Sequence, residues 1–549
     1  MDKKNRIFIV SVLLSCLFIC AALASNTGKF KKFTANVMAP LNLPTAIYSI
    51  DTNIDWTTGE TLTQDNKNNY QSVIDQFQNN IKAAAAIGVD AISMDVWWGL
   101  VEKNGDQQFN WDPYKKIFTM ITNAGLEIQA IMSFHACGGG VGDNVNIPIP
   151  SWIWGVAGNG AKYCNEQFIG QNYNESTYGN PEIVALWASN NKAVHKQYQE
   201  YMDSFEGFVS ENGFADDIQA ISISCGPAGE CRYPSYDQYT ANSKKFGQGY
   251  PTRGYFQCYS KNAIASFQSA MQNKYGNIAT LNAKWNTKPK LTSFSQVSPP
   301  TNGDGFFTSN SYFSATYGTD FIGWYNSELV THGQKMITDG LTAFDAALAG
   351  VTVGIKIPGV HWLMGSTTMP RSTEVCAGLL NNNFVVDVYS KGCGQGYNGL
   401  MSMIKTNDSE SRKVNVYFTC LEMPNADSSP AYSWACTLVY GVGKQANKIK
   451  LQIKGENALA PNSGWNWNGS PLSGTPIGNK TYGGGPWCNI NYAICNGYDG
   501  ITILRVSDVT YGNNKSQYGN FYGLIKLHSE NTRVPKDLPP LQSESEGTM

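Results

Sequence analysis

The chain has 549 residues, 42% of them hydrophobic and only 15% charged, with a formal net charge of −2. So even a balance argues against nucleic acid or an anionic membrane as the main partner, because both need concentrated positive charge. The length is ample for a large core, and 14 Trp and 29 Tyr beside abundant Asn, Ser, Thr and Gly suit a neutral, hydroxyl-rich ligand.

Taken in chain order, Lys3, Lys4 and Arg6 precede an apolar stretch over 7–23, and Ala22-Leu23-Ala24 places small residues ahead of Ser25. This is the pattern of a signal peptide over 1–24. An uncleaved anchor is the other reading, since the stretch nears membrane-spanning length. No later stretch is long and apolar enough to cross a bilayer, so no stable membrane span is expected after cleavage. Asn174, Asn407, Asn468, Asn479 and Asn514 head glycosylation sequons, which with the leader point to secretion, a secretory-pathway lumen or a vacuole.

Residues 34–41 predict a first strand, and Asn69–Ile87 a helix stopped by Gly88. The apolar run Ala91–Met94 follows and ends at Asp95. A helix over Pro113–Asn123 precedes Ile128–Phe134, which ends at His135. A further helix, Lys192–Phe208, leads to Ile221–Cys225 and then Gly-Pro-Ala-Gly-Glu230. Helices over Tyr259–Lys274 and Asp320–Ala349 precede Val351–Ile355, which ends at Lys356. The last runs are Ile449–Ile453, feeding Gly455-Glu456-Asn457, and Ile501–Leu504, ending at Arg505. Short Val- and Ile-rich runs alternating with helices predict parallel strands buried on both faces. The expected fold is α/β, a single (β/α)8 TIM barrel over 25–530 with a polar tail over 531–549. Long irregular segments at 137–180, 231–256 and 280–318 fall after strand ends, where such a barrel builds its pocket.

In that fold the polar groups ending the runs converge on one mouth. Glu230 and Glu456 both follow strands, and two carboxylates across a pocket are what glycosidic cleavage needs: one protonates the leaving oxygen while the other activates water or attacks carbon. A salt bridge to a neighbouring helix is an equal reading for either glutamate alone. Asp95, His135, Asp143, Lys356 and Arg505 would hold sugar hydroxyls through charge-assisted hydrogen bonds, and Trp97, Trp98, Trp362 and Tyr236 offer ring faces or core packing. The glycine-dense segment from His135 to Asp143 lacks the Gly-Lys-Ser/Thr of a phosphate loop. Without that or a dinucleotide fingerprint no cofactor is expected, and without Cys-x-x-Cys or His-Glu-x-x-His no metal. Of 13 cysteines two lie in the leader, and the odd remainder leaves at least one thiol without an intrachain partner. Cys225/Cys231 and Cys488/Cys495 are close pairs able to bridge, whereas Cys137 and Cys420 read as core thiols.

Here the chain resembles the β-amylases, glycoside hydrolase family 14, exo-acting α-1,4-glucan maltohydrolases. The motifs are Asn36-Val-Met-Ala-Pro-Leu41, Asp95-Val-Trp-Trp-Gly99, Ile131-Met-Ser-Phe-His135-Ala-Cys-Gly-Gly-Gly-Val-Gly-Asp143, Asn146-Ile-Pro-Ile-Pro150 and Gly226-Pro-Ala-Gly-Glu230-Cys-Arg-Tyr-Pro-Ser-Tyr236. Lys356-Ile-Pro-Gly-Val-His-Trp362, Phe418-Thr-Cys-Leu-Glu-Met423, Gly455-Glu456-Asn-Ala-Leu459 and Leu504-Arg505-Val-Ser-Asp508 complete the set, in order over about 34–510. The resemblance implies Glu230 as general acid and Glu456 as general base of an inverting reaction, with carboxyls roughly 6.5–9.5 Å apart. It implies substrate contacts at Asp95, His135, Asp143 on an outer lid, Lys356, His361, Thr419 on a mobile inner loop, Asn457, Ala458 and Arg505, with Glu422 in support. The implied substrate is an α-1,4-glucan such as starch or glycogen, cut from non-reducing ends to β-maltose. Departures stand at Gly140, where the family has Asn, at Cys231, where it has an aliphatic residue, at Ser222, and at Ala460-Pro461-Asn462. A retaining glycosidase and a glucan-binding barrel without turnover are the alternatives.

Overall fold

Eight short strands meet edge to edge in chain order: Thr34–Met38 (β1), Ala91–Trp97 (β2), Glu127–Ser133 (β3), Ile218–Ile223 (β4), Thr352–Ile357 (β5), Val414–Phe418 (β6), Gln452–Glu456 (β7) and Gly500–Ile503 (β8). Every neighbouring pair is parallel, and β8 pairs with β1, so the sheet closes into a barrel. The computed structural model describes residues 33–138, 143–169, 179–240, 245–248, 254–309, 314–361, 371–380, 397–426, 433–461, 467, 476–477, 481–482, 485–512, 514–529 and 534–541. The expected leader, Gly140, Trp362 and the sequons at Asn174, Asn468 and Asn479 lie outside the described residues.

The helices that wrap the barrel form where the sequence supplies caps and an apolar stripe. Gln64–Ala86 (α1) starts at Thr63, whose hydroxyl accepts from the Asn66 N–H, and buries Phe77, Ile81, Ala83 and Ala84. Asp112–Asn123 (α2), Asn191–Glu211 (α3), Lys261–Tyr275 (α4) and Thr316–Ala343 (α5) follow, then Asn398–Thr406 (α6), Ala435–Lys448 (α7), Pro486–Cys495 (α8) and Lys515–His528 (α9). The helix expected over Asp320–Ala349 stops at Ala343 for a local reason. The Glu206 carboxylate on α3 accepts the N–H groups of Ala346 and Leu348, at 3.2 and 2.8 Å, and draws the chain off the helix path. Residues 534–541 lie against the barrel, where the Tyr522 hydroxyl donates to the Pro535 and Lys536 carbonyls and Val534 covers Gly88. No helix among the described residues is long and apolar enough to cross a membrane.

The strands differ from the expected uniformly apolar runs in one respect that decides the site. Alternate residues face opposite ways, so Ile92, Met94 and Val96 meet the helices while Ser93, Asp95 and Trp97 face the barrel interior. That interior is polar. Asn36 of β1 donates to Gln129 of β3 at 2.6 Å and to Gln219 of β4 at 2.8 Å, bonds between strands that are not neighbours and so must cross the lumen. The apolar load sits outside it. Trp98, at the end of β2, is sealed among Phe134, Trp152 and Tyr198 with its indole N–H on Glu102, so it is core rather than a ring face for ligand. Cys488 and Cys495 stand at the two ends of α8. Seven helical residues put them about 10 Å apart along the axis, which rules out the bridge that their spacing allowed.

Space in the lumen is tight at Gly354, where a Cβ would fall 2.0 Å from Asn415 Oδ1 and 2.7 Å from its carbonyl oxygen. Gly354→Ala is therefore expected to cost about 2 to 3 kcal/mol, read as a lower urea midpoint at unchanged m-value; an unchanged midpoint would contradict this register.

Candidate active site

The carboxyl ends of the strands each deliver a polar group to one mouth. After β4, the chain makes a turn that glycine and strain make possible. A Cβ on Gly226 would lie 2.3 Å from the Glu230 carbonyl oxygen and 2.4 Å from that of Arg232, and Ala228 takes φ +54°, a conformation non-glycine residues rarely adopt. The turn closes as the Glu230 N–H donates to Pro227 O at 3.0 Å, and it docks on β5 as the Cys231 N–H donates to Lys356 O at 2.7 Å. Arg232 then reaches back, its Nε donating to Glu230 Oε2 at 2.7 Å, with its guanidinium 4.3 Å from the Tyr236 ring centre. Burial opposes charge on Arg232, but Glu230, Tyr236 and Glu182 together outweigh it and raise the guanidinium pKa.

Glu456 is the last residue of β7, and its Oε2 lies 2.7 Å from Lys356 Nζ. Strands β5 and β7 are separated by β6, so this ion pair joins the exits of two strands that are not neighbours. Burial pulls the Lys356 pKa down, yet Glu456, Glu230 and Asp95 together raise it, so the lysine stays a cation among three carboxylates. Asp95 is itself raised by burial, against a 2.8 Å hydrogen bond from Ser133 and the charges of Lys356 and Arg505. His135 is pushed down to about 3 by burial and by Lys356 and Arg232, so it is a neutral ring, with Nδ1 2.8 Å from Ser224 Oγ and its face edge-on to Trp97.

The remaining expected residues shape the walls. Thr419 Oγ1 accepts the Gly359 N–H at 2.7 Å, tying the exit of β6 to that of β5, and Cys420 follows at φ +64°. His361 is buried, its pKa lowered to about 4 by desolvation. Asn457 Oδ1 accepts the Leu504 N–H at 2.7 Å and so clamps β7 to β8, while the Ala458 and Leu459 N–H groups both donate to the Glu422 carboxylate. Arg505, at φ +66°, turns one guanidinium nitrogen onto Met38 Sδ at 2.8 Å. Asp143 accepts the Gly138 N–H at 2.8 Å and acts electrostatically on Cys137, which Asp95 and Arg505 also influence, so it sits at the rim of the same mouth. Sequence reasoning passed over Arg232, Ser133 and Ser224. The period-2 alternation marks Ser133 as facing Asp95's side, whereas no local signal reveals that Arg232 folds back on Glu230. No cluster of metal-ligating side chains occurs among the described residues.

A closed parallel barrel whose carboxyl-end mouth is lined by separated carboxylates, cations and a neutral histidine is that of a glycoside hydrolase. The chain belongs to glycosyl hydrolase family 14, whose profile matches residues 68–531. It is 38% identical over 458 residues to the thermophilic beta-amylase of Thermoanaerobacterium thermosulfurigenes, an alignment covering 83% of this chain and 70% of that protein. It is 37% identical over 449 residues to the beta-amylase of Cytobacillus firmus, covering 81% and 82%. A match at 35% identity to the beta/alpha-amylase of Paenibacillus polymyxa takes in 95% of this chain but only 36% of that longer protein. Among solved structures, the catalytic domain of beta-amylase from Paenibacillus polymyxa superposes with a TM-score of 0.68 at 33% identity, over 91% of this chain and 99% of that one.

Glu422 gives the site a pH signature. Burial lifts its pKa from 4.5 to about 7 against the pull of the N–H groups it accepts. A folded-state carboxyl that binds its proton more tightly than the unfolded chain makes stability fall as pH rises from about 4.5 through 7. Glu102 and Asp508, each also raised to about 7, act in the same direction. Urea unfolding at pH 5, 6, 7 and 8 is expected to show this decline, and Glu422→Gln to flatten it by up to on the order of 3 kcal/mol; an unaltered slope in the variant would remove Glu422 from the account.

Proposed function

We propose that this chain is an inverting exo-hydrolase of α-1,4-glucans, cutting starch- or glycogen-type chains from their non-reducing ends to β-maltose. The observation that carries the reading is the pairing of Lys356 with Glu456 while its backbone carbonyl anchors the turn bearing Glu230. One residue thus references two carboxylates from well-separated strands to each other. In this reading Glu230 is the general acid that protonates the glycosidic oxygen, and Glu456 the general base that takes a proton from water. Water attacks the anomeric carbon from the face opposite the leaving sugar, so configuration inverts. Asp95, neutral His135, Lys356, His361, Thr419, Asn457, Ala458 and Arg505 hold and orient the sugars at fixed angles, and Asp143 belongs to a rim segment that covers them. No cofactor is assigned a part. The leader and sequons support entry into a secretory pathway; of the two described sequons, Asn407 gives its amide to Met403 O at 2.8 Å and Gln334 at 2.9 Å, whereas the Asn514 amide makes a longer 3.4 Å bond to Ser507 O, so Asn514 is the better acceptor for a glycan.

Proton NMR of soluble starch during the first minutes of reaction tests the mechanism. Transient β-maltose is expected from the wild type, with Glu230→Gln and Glu456→Gln each reduced about 10²- to 10⁴-fold in kcat. An α-anomer would reject inversion. Maltose binding with no turnover in any form would favour a glucan-binding barrel.

A further inference from the structure

Cys225 and Cys231 bracket the turn that carries Glu230, and both are buried. The turn folds its two ends together, since a Cβ on Gly226 would fall 2.3 Å from the Glu230 carbonyl oxygen and 3.2 Å from the Arg232 nitrogen, and the Cys225 S–H lies 3.5 Å from Ile223 O. The backbone holds both ends in place from opposite sides. The Cys225 carbonyl accepts from His332 Nε2 on α5 at 2.8 Å, and the Cys231 N–H is fixed on Lys356 O of β5 at 2.7 Å. Between them the chain is strained at Ala228 and crowded at Gly226, so the packing must hold Glu230 in place against a conformation the segment alone disfavours.

We propose that Cys225 and Cys231 close into a disulfide that staples the turn carrying Glu230. The oxidant is a disulfide of the glutathione or thiol-oxidoreductase class. One thiolate attacks it to give a mixed disulfide, the second displaces the remaining thiol, and the oxidant leaves as two thiols carrying both electrons and both protons. Burial lifts the Cys225 pKa well above that of a free thiol. Exchange therefore takes place while the turn is still open during folding, and the finished bond is shielded from reductants. An oxidising secretory compartment supplies the conditions. The proposal rests on the reading of Glu230 as the acid only for its effect on rate.

Peptide mapping tests the bond. Protein made through an oxidising compartment is denatured in iodoacetamide without reductant and digested with trypsin. The peptide ending at Arg232 is expected to be unalkylated and two hydrogen masses light. Cys164 and Cys258, partners in an isolated backbone bridge, are mapped separately so that another pairing is not mistaken for this one. Reduction of the native protein under mild denaturant, followed by refolding under reductant, is expected to lower kcat at least about threefold with KM little changed. Cys225→Ser/Cys231→Ser should show the reduced rate with or without reductant. Alkylation of both cysteines before reduction would overturn the disulfide, and a mapped bond whose loss leaves kcat unchanged would overturn the staple. The map needs no substrate, so a wrong assignment of Glu230, read from Glu230→Gln, is told apart from a missing bond.

Discussion

Everything at the mouth depends on one buried cation. Lys356 has lost most of its contact with water, which by itself disfavours its charge. Glu456, Glu230 and Asp95 restore it, and in doing so they become mutually referenced through a single ammonium group. The desolvation cost is offset only while these partners stay close, so the lysine constrains strands β2, β4, β5 and β7 at once. Arg232 and Arg505 extend the same logic to the flanks, each cation set against a carboxylate that the barrel has taken from solvent.

A polar lumen makes such a network possible. An apolar barrel core would strand these charges, whereas here Asn36, Gln129 and Gln219 already hydrogen-bond across the interior below them. The apolar driving force comes instead from the outer layer, where Trp98, Phe134, Tyr198 and Tyr201 pack between strands β2 and β3 and helix α3. Packing outside and polarity inside divide stability from chemistry between the two faces of the same short strands.

The order of elements was legible because strand runs and helix stripes differ in period, and because Gly88 marks where a helix stops. Strand β6 was harder, since Val414-Asn-Val-Tyr-Phe418 interleaves polar residues and makes a poor apolar run. Glu230, Glu456 and Lys356 could be read as strand-end residues, and their clustering followed from closing the barrel. Arg232's return to Glu230, the clamp of Asn457 on Leu504 and the grip of Glu422 on Ala458 and Leu459 could not be read from the chain alone. They arise from turns whose φ values, at Ala228, Cys420 and Arg505, run against local preference and are imposed by tertiary packing.

Those three left-handed positions lie at the exits of β4, β6 and β8, on alternate strands. Each is held by a hydrogen bond to a neighbouring strand exit: the turn of Ala228 through Cys231 to β5, that of Cys420 through Thr419 to Gly359, and that of Arg505 through Val506 to Met38. Strain of this kind persists only where surrounding contacts over-determine it. Positive φ also occurs at Asn53 and Asn286, which end helices, and at Gln107 and Lys450, but at the three strand exits it aims side chains toward the mouth. The barrel fixes where each strand ends, and the strained exits decide what each ending presents.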